Sequence, residues 1–146
     1  MPTPQTLKNH ARFNPLFHFA IIPLLFLNLV FSIYITIHRW PAYQHTHLWW
    51  IVMAIVFFLM AGDARGSALK TQNRIIRLEE RLRLATLLPP DDRAHINELT
   101  TPQLIALRFA SDAELPALAH TTLTQRLEPK AIKQAIVNWR PDNERV

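Results

Sequence analysis

The chain has 146 residues, room for one small domain or for a membrane hairpin with a modest appendage. It contains no cysteine, which excludes disulfides, thiolate catalysis and zinc–thiolate sites. Its net charge of +5 is unevenly spread: residues 1–88 hold nine basic and three acidic side chains, residues 89–146 seven basic and eight acidic, so the positive charge flanks the apolar segments and points to anionic lipid headgroups rather than to nucleic acid.

Residues 1–15 read as a polar N-terminal segment carrying Lys8 and Arg12. Residues 16–37 follow, 22 positions without a formal charge. As a helix this run reaches about 33 Å, enough for a hydrocarbon core of about 30 Å. It is too long for the apolar region of a secretory signal and ends in His38-Arg39-Trp40, so an uncleaved first span over 16–38 is expected. Within it, Pro23 can kink the helix. Asn28, near the middle, can join helices across the bilayer centre or line a polar path.

Residues 39–47 form the connecting loop, with Arg39 as its one basic residue. His38, His45 and His47 cluster there, but their spacing is not that of a metal motif and the loop has no acidic residue, so no metal or cofactor is expected. Tyr34, Trp40, Tyr43, Trp49 and Trp50 suit a membrane interface at the same end.

The second apolar run, residues 48–62, is too short alone. Extended to Leu69 it can span, taking in Asp63 and Arg65 near one end where long basic side chains reach the interface. Basic residues precede the first span and crowd after the second, so the positive-inside rule places the loop outside and both termini in the cytoplasm. Arg12, Arg65, Lys70 and Arg74 are the candidate lipid-headgroup contacts. His18 and Asp63 would share one depth in an antiparallel hairpin. They are a candidate intramembrane pair, able in principle to relay a proton but more simply a tie between two helices. Gly62 and Gly66 form G-x-x-x-G, a spacing that lets backbones approach closely and makes a homodimer or a contact with the first span conceivable.

No proline interrupts residues 48–88, and Pro89-Pro90 stops any helix, so the second span is expected to continue as an amphipathic helix over 70–88. Ile75, Leu78, Leu82 and Ala85 follow a helical 3-4-3 spacing. This stripe is expected to pack on the chain's own C-terminal helices, with a coiled-coil dimer as the competing reading. Glu79 and Arg83 are placed for an i,i+4 ion pair. Arg77, Arg81, Arg83 and Arg108 are the candidate partner-facing surface.

Residues 89–146 read as a small helical tail. Thr101-Pro102 suggests a helix start and Ser111-Asp-Ala-Glu114 a capping box; Pro129 opens a last helix. Leu104, Leu107, Leu115, Leu118, Leu123, Leu127, Ile132, Ile136 and Trp139 supply its apolar set. No nucleophile–base arrangement, phosphate loop or metal spacing is present, so no catalytic residues are assigned.

Several segments resemble a family of small bacterial two-span membrane proteins known only as a domain of unknown function. They are Asn9-His10-Ala11-Arg12, Pro15-Leu16-Phe17-His18, Arg74-Ile-Ile-Arg-Leu-Glu-Glu-Arg-Leu-Arg83, Gln103-Leu-Ile-Ala-Leu-Arg-Phe-Ala-Ser-Asp112, Glu114-Leu-Pro116, Ala131-Ile-Lys-Gln-Ala-Ile136 and Asn138-Trp-Arg-Pro141. Thr6-Leu7 and Asn73 depart from the family's pattern, which has an Asn-Tyr pair and an acidic residue there. The resemblance implies a bacterial membrane location and a helical tail, and no activity. The expected fold is therefore all-α: a transmembrane hairpin, a long second helix and a small cytosolic tail. The expected role is a non-enzymatic membrane-anchored adaptor or accessory subunit that binds a protein partner. The competing role is an oligomeric transporter or proton-coupled component using His18, Asn28 and Asp63.

Overall fold

The computed structural model describes residues 6–7 and 14–141. The chain is all-α, and among the described residues the one β-type pairing is an isolated antiparallel bridge between Ala110 and Trp139. It divides into two compact units. One is Phe13–Leu69; the other combines Met1–Arg12 with Lys70–Val146.

The first unit begins with a π-helical stretch, Leu16–Ile21, followed by α1, Ile22–His38. The reason for the wide opening turn lies in Pro23, in the first turn of α1. Proline has no N–H to give and its ring crowds the carbonyl four residues back, so the preceding turn opens. Accordingly the Ile22 amide donates to the Phe17 carbonyl, five residues away. On α1 the Ser32 and Thr36 hydroxyls donate to the carbonyls of Asn28 and Ser32, at 2.6 and 2.7 Å. Both side chains are buried, and each satisfies its polar atom on its own helix, as an apolar environment requires.

Helix α2, Gln44–Leu87, is 44 residues long and runs from the first unit into the second. In the first unit its covered positions include Ile51, Ala54, Phe58, Ala61 and Arg65, spaced alternately by three and four, with Met53 and Gly66 covered beside them. That spacing marks a single helix face, and Ala54 at its centre is fully buried. The stretch Leu16–His38 and α2 are both long and apolar enough to cross a membrane. Only 11% and 6% of their most apolar stretches is buried within the protein. The core helix of a soluble protein would hide far more.

The second unit is built on the last turns of α2. It adds α3 (Pro90–Arg93), a 3-10 turn (Ile96–Glu98), α4 (Thr101–Leu107), α5 (Leu115–Gln125) and α6 (Pro129–Ala135). Its core joins Leu84 and Leu88 of α2 to Ile96, Leu99, Leu104, Leu107, Phe109, Leu115, Ala119, Ile132 and Ile136. The expected apolar set is all present in this core or packed against it.

Three local expectations shift. Helix α4 is capped by Thr100, not Thr101, through a reciprocal capping box with Gln103. This geometry satisfies two backbone donors at once and leaves Pro102 inside the first turn. Glu114 does not close a capping box at α5; its carboxylate instead accepts the amides of Val137 and Asn138 at 2.9 and 3.0 Å, tying down the segment after α6. The third shift concerns α2. Ile75, Leu78 and Leu82 do not pack on the tail; they are 52%, 61% and 61% exposed. The buried positions lie on the opposite face, at Ile76, Glu80, Leu84 and Leu88, and of these Leu84 and Leu88 belong to the tail core. Residues spaced by four drift slowly around a helix, so this set still forms one face.

Candidate functional site

In the first unit the polar residues tie helices to themselves and to each other. The indole N–H of Trp50 on α2 donates to the Asn28 side-chain oxygen on α1 at 3.3 Å. The Arg65 guanidinium lies over the Phe17 ring, 5.9 Å from its centre. His18 places Nδ1 2.9 Å from the Asn14 carbonyl, one turn back on its own helix. Asp63 is exposed, and no hydrogen bond or ion pair joins it to His18. Gly62 and Gly66 meet nothing on their open side: a Cβ added at either would have no neighbour within 4 Å. The G-x-x-x-G thus makes no close packing contact, and the buried positions of the two helices are Ser32 and Thr36 on α1 and Ala54 on α2. At the loop end, the His38 ring stacks on Tyr34 with centres 4.0 Å apart and holds the Tyr34 carbonyl at 3.0 Å. Among the described residues no three His, Asp or Glu side chains gather as a metal site. Of the proposed headgroup contacts, Arg65 is half-buried, Lys70 and Arg74 are exposed, and Arg12 lies outside the described residues.

The second unit holds the most built constellation of charges. Glu80 on α2 is buried, and Arg83 grips it at 3.1 Å. Arg83 also reaches Asp112 at 2.6 Å and the Ala110 carbonyl at 2.7 Å, joining α2 to the loop after α4. Arg140 approaches Glu80 at 3.9 Å, while its backbone N–H donates to the Phe109 carbonyl at 2.7 Å. Arg108 is buried too, with its guanidinium 4.6 Å from the centre of the Phe109 ring. Burial pushes the Glu80 carboxyl above its usual 4.5, and the charges of Arg83, Arg140 and Arg108 only partly offset that rise. Arg83 and Arg108 were expected to face a partner. Both are turned inward: Arg83 supplies donors that Glu80 and the Ala110 carbonyl would otherwise lack, and Arg108 lies over the Phe109 ring. Arg77 is exposed and Arg81 half-buried.

Two histidine–carboxylate pairs lie at the rim of the same unit. His120 on α5 meets Asp92 on α3 at 2.9 Å, and His95 meets Glu98 at 2.6 Å. The hydrogen bond that His95 donates to the Glu98 carboxylate, then that carboxylate's charge, holds the His95 imidazole above its ordinary 6.5. A histidine raised in the folded state contributes stability that is complete below its unfolded value and is lost as pH rises through its folded value. The second unit is therefore expected to lose thermal stability on going from mildly acidic to mildly alkaline pH. His95→Gln should flatten that part of the profile, read as melting temperature against pH. An unchanged profile would show that the pair does not couple folding to protonation.

The sequence alone assigned no role to Glu80 and paired Arg83 with Glu79 instead, and it gave no sign of the ion pair of Asp112, the approach of Arg140 or the bonding role of Glu114. The signal available for Glu80 was its place in the four-spaced series 76, 80, 84, 88, which competes with 75, 78, 82, 85 as the inward face.

Together these observations define an all-α protein with two helices apolar enough to cross a membrane and a helical C-terminal unit closed by a buried ion cluster. The chain belongs to the family of unknown function DUF6526, whose sequence pattern it matches over residues 1–146. No curated protein and no solved structure matches it.

Proposed function

We propose that the chain is a two-span protein of the bacterial inner membrane, with both termini cytoplasmic, acting without catalysis as an anchored adaptor or accessory subunit. The observation that carries this reading is α2. One uninterrupted helix supplies both the second apolar stretch and, through Leu84, the centre of the C-terminal core. The tail is thereby tethered to the second apolar stretch through the helix itself. The uneven placement of basic residues supports the orientation, and Lys70, following the apolar stretch, belongs to the flank that stays inside. Anionic lipids are then the counter-charge for Arg65 and Lys70. The Trp50–Asn28 bond favours helix tying over a polar transport path for Asn28.

A reporter active only outside the cytoplasm, inserted within residues 42–45, is expected to be active; fused after Val146 it should be silent. The opposite pattern would overturn the orientation. A variant with His18, Asn28 and Asp63 all replaced should keep an adaptor's phenotype and abolish a transporter's.

A further inference from the structure

The face of α2 that the tail leaves bare has the pattern of a dimer seam. Ile75, Leu78 and Leu82 are more than half exposed and alternate by three and four. In coiled-coil terms Ile75 and Leu82 take the a positions and Leu78 the d position between them, while Ala85, at the next d position, already packs on the tail core and ends the open stripe. A β-branched residue with leucine following at d favours two parallel strands.

The flanking charges say what covers this face. Arg74 stands at g and Glu79 at e. Neither has an opposite charge three or four residues away that it can use. Around Arg74 stand Lys70, Thr71, Arg77 and Leu78; around Glu79 the one basic neighbour is Arg83, which is committed to Glu80 and Asp112. In a parallel pair, a g residue lies across from the e residue five positions on in the second helix. Arg74 of each copy would then meet Glu79 of the other, twice by symmetry. The next flanking pair, Arg81 with Thr86, neither adds to nor opposes this. An antiparallel pair would set g against g, placing Arg74 across from Arg81. The charges thus select a second copy of this chain, in parallel, without appeal to the membrane.

We propose that the chain forms a parallel homodimer through the Ile75–Leu78–Leu82 face of α2, with orientation set by Arg74 of one copy and Glu79 of the other.

The absence of native cysteine makes the test direct. Ile75→Cys, Leu78→Cys and Leu82→Cys are introduced singly into the full-length chain in detergent, with Asn73→Cys, exposed on the far side, as control. Under copper–phenanthroline oxidation all three seam variants should form disulfide-linked dimers, and the control about tenfold less. In the cysteine-free chain, Arg74→Glu and Glu79→Arg should each weaken the dimer about tenfold, read by dilution in sedimentation, and together restore it. Efficient linkage at Asn73, or no linkage at any seam position, would overturn the proposal. So would preferential cross-linking between Ile75→Cys and Leu78→Cys chains when the two are mixed, the a-to-d contact of an antiparallel pair. All these positions are exposed, so the fold should tolerate them; protease resistance of the tail checks it. Reporter topology is a separate readout, so failure of the dimer and failure of the membrane orientation are distinguishable.

Discussion

Replacing Arg83 by methionine is expected to destabilise the C-terminal unit by about 3–5 kcal/mol, the usual consequence of stranding one member of a buried ion pair. Arg83 is the principal counter-charge for Glu80, and its own side chain is 11% exposed. The substitution also removes the bonds to Asp112 and to the Ala110 carbonyl, so the loop after α4 loses its tie to α2. Native domains have a net stability of only about 5–15 kcal/mol, so a loss of this size removes a large part of it. The tail should therefore open, seen as rapid proteolysis around Pro89-Pro90 and lost hydrogen-exchange protection in α4 and α5.

Two controls separate charge stranding from simple loss of packing. In Glu80→Leu/Arg83→Met no charge is stranded, and much of the stability should return. The pH dependence is the second control. Burial already raises Glu80 above 4.5, so the folded state binds more protons than the unfolded state from 4.5 up to the folded value. Stability then falls as pH rises through that window and recovers as pH drops. Without Arg83 the rise is larger, so the deficit of Arg83→Met should narrow on acidification. A variant as stable as the parent at neutral pH would show that Arg140 and Arg108 suffice to hold Glu80.

Leu84→Ala should produce a loss of similar size by a different route. Leu84 is fully buried in the core that α2 shares with α4, α5 and α6. Truncating such a leucine costs about 2–5 kcal/mol, the larger values where the cavity cannot collapse. Denaturant unfolding of the C-terminal unit should shift to a markedly lower midpoint with no pH component. The apolar helices lie in the other unit, so extraction of the chain with the membrane fraction should be unchanged. Equal protease resistance in variant and parent would mean that the tail does not depend on α2 for its core.

The elements themselves were legible in the sequence because their signals are local. A 22-residue uncharged run declares its helix by length, and Pro89-Pro90 ends α2 because neither residue can continue the hydrogen-bond ladder. Pro129 opens α6 where its missing N–H costs nothing. The apolar tail residues were legible for the same reason, since their spacing alone marks them for burial.

Faces and partners were not legible, because a helix bearing two apolar stripes does not say which one its own chain will cover. On α2 the series 75, 78, 82 is the more apolar, yet the buried positions are 76, 80, 84 and 88, a face that contains a glutamate. What tips that choice lies far along the chain. Arg83 finds Asp112 and the Ala110 carbonyl, and Arg140 comes within reach of Glu80. The same holds for Glu114, whose short-range pattern resembles a cap but whose carboxylate is taken by amides more than twenty residues away. Local propensity and periodicity thus determined the helices and their ends. The fate of the charges, and with it which face of α2 remains open to another molecule, was decided only when buried polar groups had to find partners across the fold.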